Sequence, residues 1–240
     1  MSMPAPGRER EMAADARGRY YTGERGPAER ASQAGETALP VYLALKRLLD
    51  VGGSIAGLIV LAPLFLVVAI GIKLEDPHGA VLFRQVRIGK DGRPFRMLKF
   101  RSMVADAEAQ LHQLMPHNET SGAMFKIKDD PRITRIGRFI RRTSIDELPQ
   151  LWNVLTGEMS LVGPRPPLSR EVDAYTAYDM QRLAVTPGCT GLWQVSGRSR
   201  LGFAEMVELD LTYIRTRSIR QDIWIMLRTL RMLLGSKDAY

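Results

Sequence analysis

Two adjacent carboxylates, Asp146 and Glu147, stand in the stretch Arg141-Arg142-Thr143-Ser144-Ile145-Asp146-Glu147-Leu148-Pro149-Gln150. Just before it, Arg132, Arg135, Arg138 and Arg141 recur every third residue. On a helix that spacing makes a nearly continuous positive stripe, which attracts phosphates or faces solvent or lipid. Ser144-Ile145-Asp146-Glu147 fits a capping box, with Ser144 as N-cap and Glu147 reaching back, and spacing alone favours that structural role. Chemistry is the alternative. Successive helical residues point about 100° apart, so the two acids cannot face one target in the same way. One can attack while the other helps hold a hard cation through oxygen. A helix N-terminus there would favour the charge of a bound phosphate.

Two loops carry further cations. Gly163-Pro164-Arg165-Pro166-Pro167 is a rigid turn presenting one arginine, and Pro187-Gly188 through Gly197-Arg198 is punctuated as a loop ending in another. Arginines so fixed suit bidentate phosphate contact, or are plain surface charges. Val81–Ile88 and Pro94–Phe100 read as strands joined by the hairpin turn Gly89-Lys90-Asp91-Gly92. Alternation on the second strand puts Phe95, Met97, Lys99 and Arg101 on one face. Helical patterns run near Val104–Met115, Ile133–Arg141, Ile145–Leu155, Phe203–Thr216 and Ile219–Leu234. The last pairs Ile223, Trp224, Leu227 and Leu230 with Arg220, Arg228 and Arg231. That suits a helix lying on a membrane surface, and equally one packed on the domain core. His78, His112 and His117 lack metal-ligand spacing, and the single Cys189 excludes an internal disulfide or a Cys-rich zinc site.

Residues 51–72 are 22 consecutive uncharged positions, about what a bilayer-crossing helix needs. Pro63 interrupts the run, and basic residues flank both ends: Lys46 and Arg47 before, Lys73, Arg84, Arg87 and Lys90 after. Proline breaks helical hydrogen bonding, and basic flanks favour the cytoplasm for both ends, so a re-entrant helix-break-helix is expected. A kinked but spanning helix is the alternative. Residues 1–40 hold six Arg and six acidic residues and no sustained period, which reads as a disordered tail. The formal charge of +8 therefore resides in residues 41–240 and calls for an anionic partner. The organisation expected is a 1–40 tail, a 41–74 membrane-embedded segment and a 75–240 cytoplasmic domain. The fold class is mixed α/β, mostly helical, with a small β-hairpin and amphipathic interfacial helices.

In combination these motifs resemble the bacterial sugar transferase family, the monotopic polyprenyl-phosphate phosphoglycosyl transferases. Lys46-Arg47 with Asp50, Phe83-Arg84-Gln85, Lys99-Phe100-Arg101-Ser102-Met103, Asp130-Pro131-Arg132, Ser144 to Gln150, Gly163-Pro164-Arg165-Pro166 and Pro187 to Arg198 occur in order. The resemblance implies that Asp146 is a nucleophile toward a UDP-sugar, forming a phosphosugar-aspartate and releasing UMP. It implies that Glu147 helps hold Mg²⁺, and that Lys99, Arg101, Arg141, Arg165 and Arg198 bind phosphate or substrate. The acceptor would be undecaprenyl phosphate at the bacterial inner membrane, in an early step of surface-glycan synthesis. Segment 105–128 resembles members that use hexose-1-phosphates, galactose or glucose. The family's Ser-Pro helix break is Ala62-Pro63 here, so one hydrogen bond of that break has no serine to make it.

Two other classes compete. A membrane-anchored basic scaffold or lipid-binding protein explains the charge and the apolar run but not the ordered motifs. A transferase that moves only the sugar would release UDP. Nucleic acid is not an expected partner: aromatic content is 7% and no RNP or zinc-finger signature occurs. Membrane lipid is an expected partner, and self-association is left open.

Overall fold

A computed structural model of the chain describes residues 27–107, 109–110, 130–197 and 201–235. Arg198, most of segment 105–128 and residues 1–26 of the expected tail lie outside the described residues. Contacts divide the chain into two units, Met1–Leu43 and Ala44–Tyr240. Of the first unit only the beginning of helix α1 (Pro27–Glu75) is described. The second unit contains the rest of α1, the strands and the other helices.

Within α1, Leu39–Glu75 is long and apolar enough to cross a membrane, yet only 11% of its most apolar stretch is buried. A core helix of a soluble protein would be covered. Here Ile55, Ile59, Val60, Leu66, Val67 and Ile70 are exposed, so lipid is the medium in which this surface is stable. The opposite side packs on the domain. Val68 and Ile72 join Phe100 and Ile140 in one buried cluster, flanked by Leu64 and Phe65. The Phe65 ring meets Phe100 edge-on at 5.3 Å. The helix passes through Pro63 without interruption, so the break predicted from sequence is absent as a gap in helicity. Proline removes one donor; the apolar contacts on its C-terminal side keep the following turns in place.

Strands β1 (Leu82–Ile88) and β2 (Pro94–Phe100) form the expected antiparallel hairpin. Its turn places Asp91 and Gly92 at φ of 56° and 76°, the left-handed region that Asp and Gly tolerate best. The register pairs Phe83 with Lys99, Gln85 with Met97 and Arg87 with Phe95, so these six share one face. Phe95 and Met97 on that face bury against Val154 and Met159.

Helix α2 (Arg135–Arg142) begins at an N-cap, Thr134, whose side chain accepts from Gly137 N at 2.9 Å. The arginine stripe is thus shorter than the spacing suggests. Arg132 precedes the helix and is buried in an ion pair with Asp130 at 2.6 Å. The helix expected over Ile145–Leu155 is instead a 3-10 turn, Ile145–Glu147, followed by α3 (Gln150–Thr156). Pro149, lacking an N–H, separates the two.

A short parallel pair, β3 (Ser160–Val162) and β4 (Gly188–Thr190), was not legible in the sequence. It brings the Gly163-Pro164-Arg165-Pro166 loop against the Pro187-Gly188 loop. Gly163 N donates to Thr190 O and Gly188 N to Pro164 O, at 2.8 and 2.9 Å. A Cβ at Gly188 would run into the backbone of Gly163, which is why this crossing needs glycine. The remaining helices are α4 (Ser169–Val172), α5 (Leu192–Ser196), α6 (Phe203–Thr216) and α7 (Ile219–Gly235). Helix α7 buries Ile225 in the core while exposing Ile223, Trp224, Leu227 and Leu230, so it has both of the faces foreseen for it.

Candidate active site

The carboxylate pair sits where the chain turns most sharply. Ser144 adopts φ 56°, ψ 17° and makes no side-chain cap, so the capping box that spacing favours does not form. A left-handed residue at this position reverses the chain after α2 and leaves the side chains of the next turn free for other partners. Asp146 and Glu147 follow in the 3-10 turn, held by Glu147 N to Ser144 O and Leu148 N to Ile145 O, both 3.2 Å.

The two acids have different surroundings. Asp146 is buried at 9% exposure, and no side chain hydrogen-bonds it among the described residues. Burial pushes its pKa up to about 6; Lys99 and Arg141 pull the other way, while Glu147 adds to the rise. Glu147 accepts from Lys99 Nζ at 2.7 Å. Burial works against its charge too, but Lys99, Arg165 and Arg87 together hold it below the usual glutamate range. One carboxylate is thus firmly ionised and paired. Its neighbour is an ionisable group kept in poor solvation, which makes it a better nucleophile than a hydrated carboxylate.

Of the residues singled out from sequence, Lys99, Arg141, Asp146, Glu147 and Arg165 are brought into mutual electrostatic range. Arg141 in the last turn of α2 and Arg165 in its proline-flanked loop make no ion pair among the described residues, leaving both available to an anion. Arg101 is placed otherwise. Its guanidinium is bound to Asp76, Nη1 to Oδ2 at 2.8 Å and Nη2 to the Asp76 carbonyl at 2.7 Å. It clasps the end of α1 to the strand that carries Lys99.

Sequence reading missed three groups that support the site. Arg87 was seen only as a flanking charge, yet it is buried and donates Nη1 to Pro166 O at 3.0 Å. Asp50 accepts from Ser160 Oγ and Leu161 N at 3.0 and 2.9 Å, fastening α1 to the strand that leads into the Arg165 loop. Lys46 pairs with Asp222 at 3.0 Å, and Tyr213 OH donates to the other Asp222 oxygen at 2.8 Å. Strand alternation could have flagged Arg87, since it shares the Gln85 face. The other two contacts span more than a hundred residues and leave no local trace.

Magnesium can be tested against this donor set. No cluster of three or more His, Cys, Asp or Glu side chains able to cage a metal occurs among the described residues. Mg²⁺ is commonly held by one or two carboxylates together with substrate phosphates, and Asp146 and Glu147 meet that need. They fit an ion that arrives with a diphosphate.

A model of the bacterial sugar transferase family matches residues 41–236. The chain is 50% identical over 201 residues to galactosyl transferase CpsE of Streptococcus agalactiae, covering 82% of this chain and 44% of that protein. It is 42% identical over 200 residues to the undecaprenyl-phosphate galactose phosphotransferase of Salmonella typhimurium, covering 82% and 42%. It is 43% identical over 205 residues to UDP-glucose:undecaprenyl-phosphate glucose-1-phosphate transferase of Caulobacter vibrioides, covering 81% and 72%. The chain spans less than half the length of the first two relatives and most of the third. The matched region contains the paired acids, the basic strand and the arginine loop, together with the apolar helix. The chain belongs to the bacterial sugar transferase family.

Proposed function

We propose that this protein transfers a hexose-1-phosphate from a UDP-sugar to undecaprenyl phosphate. The observation that carries the reading is the buried Asp146 set beside the Lys99–Glu147 pair, with Arg141 and Arg165 around it and free of ion pairs among the described residues. An Asp146 oxygen attacks the phosphorus nearest the sugar, and the bond to the bridging oxygen breaks with its electrons leaving on UMP. The phosphosugar-aspartate is then attacked by an oxygen of the polyprenyl phosphate, which frees the carboxylate. Anion meets anion in both displacements, so fixed cations are required. Lys99, Arg141 and Arg165 supply them without reorganising. Magnesium bound with Glu147 would neutralise charge on the donor diphosphate. Two displacements let a soluble donor and a membrane-bound acceptor use one pocket in turn.

The topology follows the same logic. Near its start α1 is tied to the domain through Lys46, Arg47 and Asp50. At its end Glu75 accepts from Arg135 N and Ile136 N at 2.7 and 2.9 Å, and Asp76 binds Arg101. A helix whose two ends are held by one polar domain cannot set those ends on opposite sides of a bilayer. This supports a re-entrant α1 with the domain on the cytoplasmic face, where UDP-sugars are. The exposed apolar faces of α1 and α7 would then meet lipid. The printed names of the relatives, which span galactose and glucose transfer, support a hexose donor.

The test is a panel of UDP-sugars with undecaprenyl phosphate, scored for UMP against UDP. UMP release dependent on Mg²⁺, with one phosphosugar mass on the Asp146 peptide when acceptor is withheld, is the expected result. UDP release would assign transfer of the sugar alone, and no release with any donor would favour the scaffold reading.

A further inference from the structure

Four arginines are buried among the described residues: Arg87, Arg101, Arg132 and Arg182. Three of them have a carboxylate to answer their charge: Asp76 for Arg101, Asp130 for Arg132 and Asp210 for Arg182. Arg87 has none among the described residues. At 5% exposure its guanidinium donates Nε and Nη2 to the Gln85 amide oxygen at 3.0 and 2.7 Å, and Nη1 to Pro166 O at 3.0 Å. These partners are all neutral. The hydrogen bonds are satisfied while the charge is left uncompensated, an arrangement that costs stability unless an anion arrives.

Its position indicates which anion. Arg87 shares the hairpin face of Lys99, and the neighbouring Ile88 N bonds Pro167 O at 2.9 Å, so β1 is stitched to the arginine loop at both Pro166 and Pro167. Arg165 and Glu147 are close enough for their charges to act on it. Burial, reinforced by the repulsion of Arg165, brings its pKa down to about 10, leaving it cationic at neutral pH.

We infer that Arg87 is a positioning residue for the donor diphosphate: it fixes the Arg165 loop by its hydrogen bonds and lends an unneutralised positive charge to the phosphate site. This deepens the transferase reading and rests on it. The neutral partner is the informative part. Were Arg87 only a brace, a glutamate at position 85 would serve better, because it offers the same oxygen with a neutralising charge.

That contrast supplies the experiment, run on the full-length protein in lipid nanodiscs with UDP as the binding probe and UDP-sugar turnover measured in parallel. Gln85→Glu keeps the guanidinium's shape and bonds but cancels its charge. The expected result is roughly tenfold weaker UDP binding and a raised donor KM, with a melting temperature equal to or above wild type. Arg87→Gln should weaken UDP binding at least as much, and Arg87→Lys should fall between. Gln85→Glu binding UDP as tightly as wild type would overturn the inference, whatever Arg87→Gln does to folding. Wild-type protein that neither binds UDP nor turns over any UDP-sugar would instead sink the transferase reading beneath it.

Discussion

Asp146 should make the folded protein less stable, and replacing it should show by how much. Its pKa is raised from 3.8 to about 6, so the folded state holds the proton more tightly than the unfolded chain does. Below pH 4 both states are protonated and the group contributes nothing. As pH rises through that range the unfolded chain ionises first, and the folded state becomes progressively disfavoured until Asp146 itself ionises near 6. Above that the penalty is constant. A shift of that size corresponds to about 3 kcal/mol, an upper figure because the acid retains slight exposure. Asp146→Asn keeps the volume and removes the charge. At pH 7.5 it should melt several degrees above wild type, at roughly 2–4 °C per kcal/mol for a chain this size. At pH 4 the two should coincide. Asp210 also has its pKa raised to about 6 by burial, but it is present in both proteins and cancels in the difference. The assay is a paired thermal scan in nanodiscs, with UMP release from the same samples. A mutant that is inactive and no more stable than wild type at pH 7.5 would refute the reasoning. So would a stability gap that persists at pH 4. The same pKa requires kcat/KM of the wild type to fall as pH drops through about 6, since the carboxylate must be ionised to attack.

Three further outcomes rest on named contacts. Glu147→Gln should abolish UMP release while melting within a few degrees of wild type, because its partly exposed pair with Lys99 contributes at most about 1 kcal/mol and no helix cap is lost. Asp210→Ala should lower stability by about 3–5 kcal/mol, read as a fall in melting temperature, because it leaves Arg182 buried with its charge unanswered. In a Cys189→Ser background, single cysteines at Ser32 and Ser236 should both resist an impermeant thiol reagent in intact cells and label after lysis; labelling of position 32 alone would show a spanning helix.

Much of the fold was legible because it is written in local periods. The hairpin turn, helix α6 and helix α7 follow from alternation, from glycine and aspartate at left-handed positions, and from apolar spacing. The error at Ser144 is instructive. A capping box and a left-handed reversal use the same residue types, and only tertiary contacts choose between them. Here Lys99 lies across the turn and takes Glu147 as its partner at 2.7 Å, so the glutamate cannot reach back to the cap. The β3–β4 pair escaped notice for a different reason. Each strand has three residues, too few for a period, and its evidence is a steric fit between two glycine loops, at Gly163 and Gly188, far apart in sequence. The buried Arg87 lay in plain view on an alternating strand, but its charge suggested solvent.

Distance in sequence also hid what the membrane helix does for the site. Asp50 holds Ser160 and Leu161, which begin the strand leading to Arg165. Glu75 caps helix α2, whose last turn carries Arg141, and Asp76 clasps Arg101, on the strand end that carries Lys99. The segment between these anchors is the uncharged run. Each end of it therefore grips one part of the cationic shell around Asp146. An acceptor whose polyprenyl chain stays in the bilayer presents its phosphate at a nearly fixed height. The shell must be held at that height to about the precision of a hydrogen bond, since misplacement by an ångström or so is costly in a displacement reaction. Tying both sides of the shell to the element that sets membrane depth meets that requirement directly. A flexible tether between anchor and domain would not.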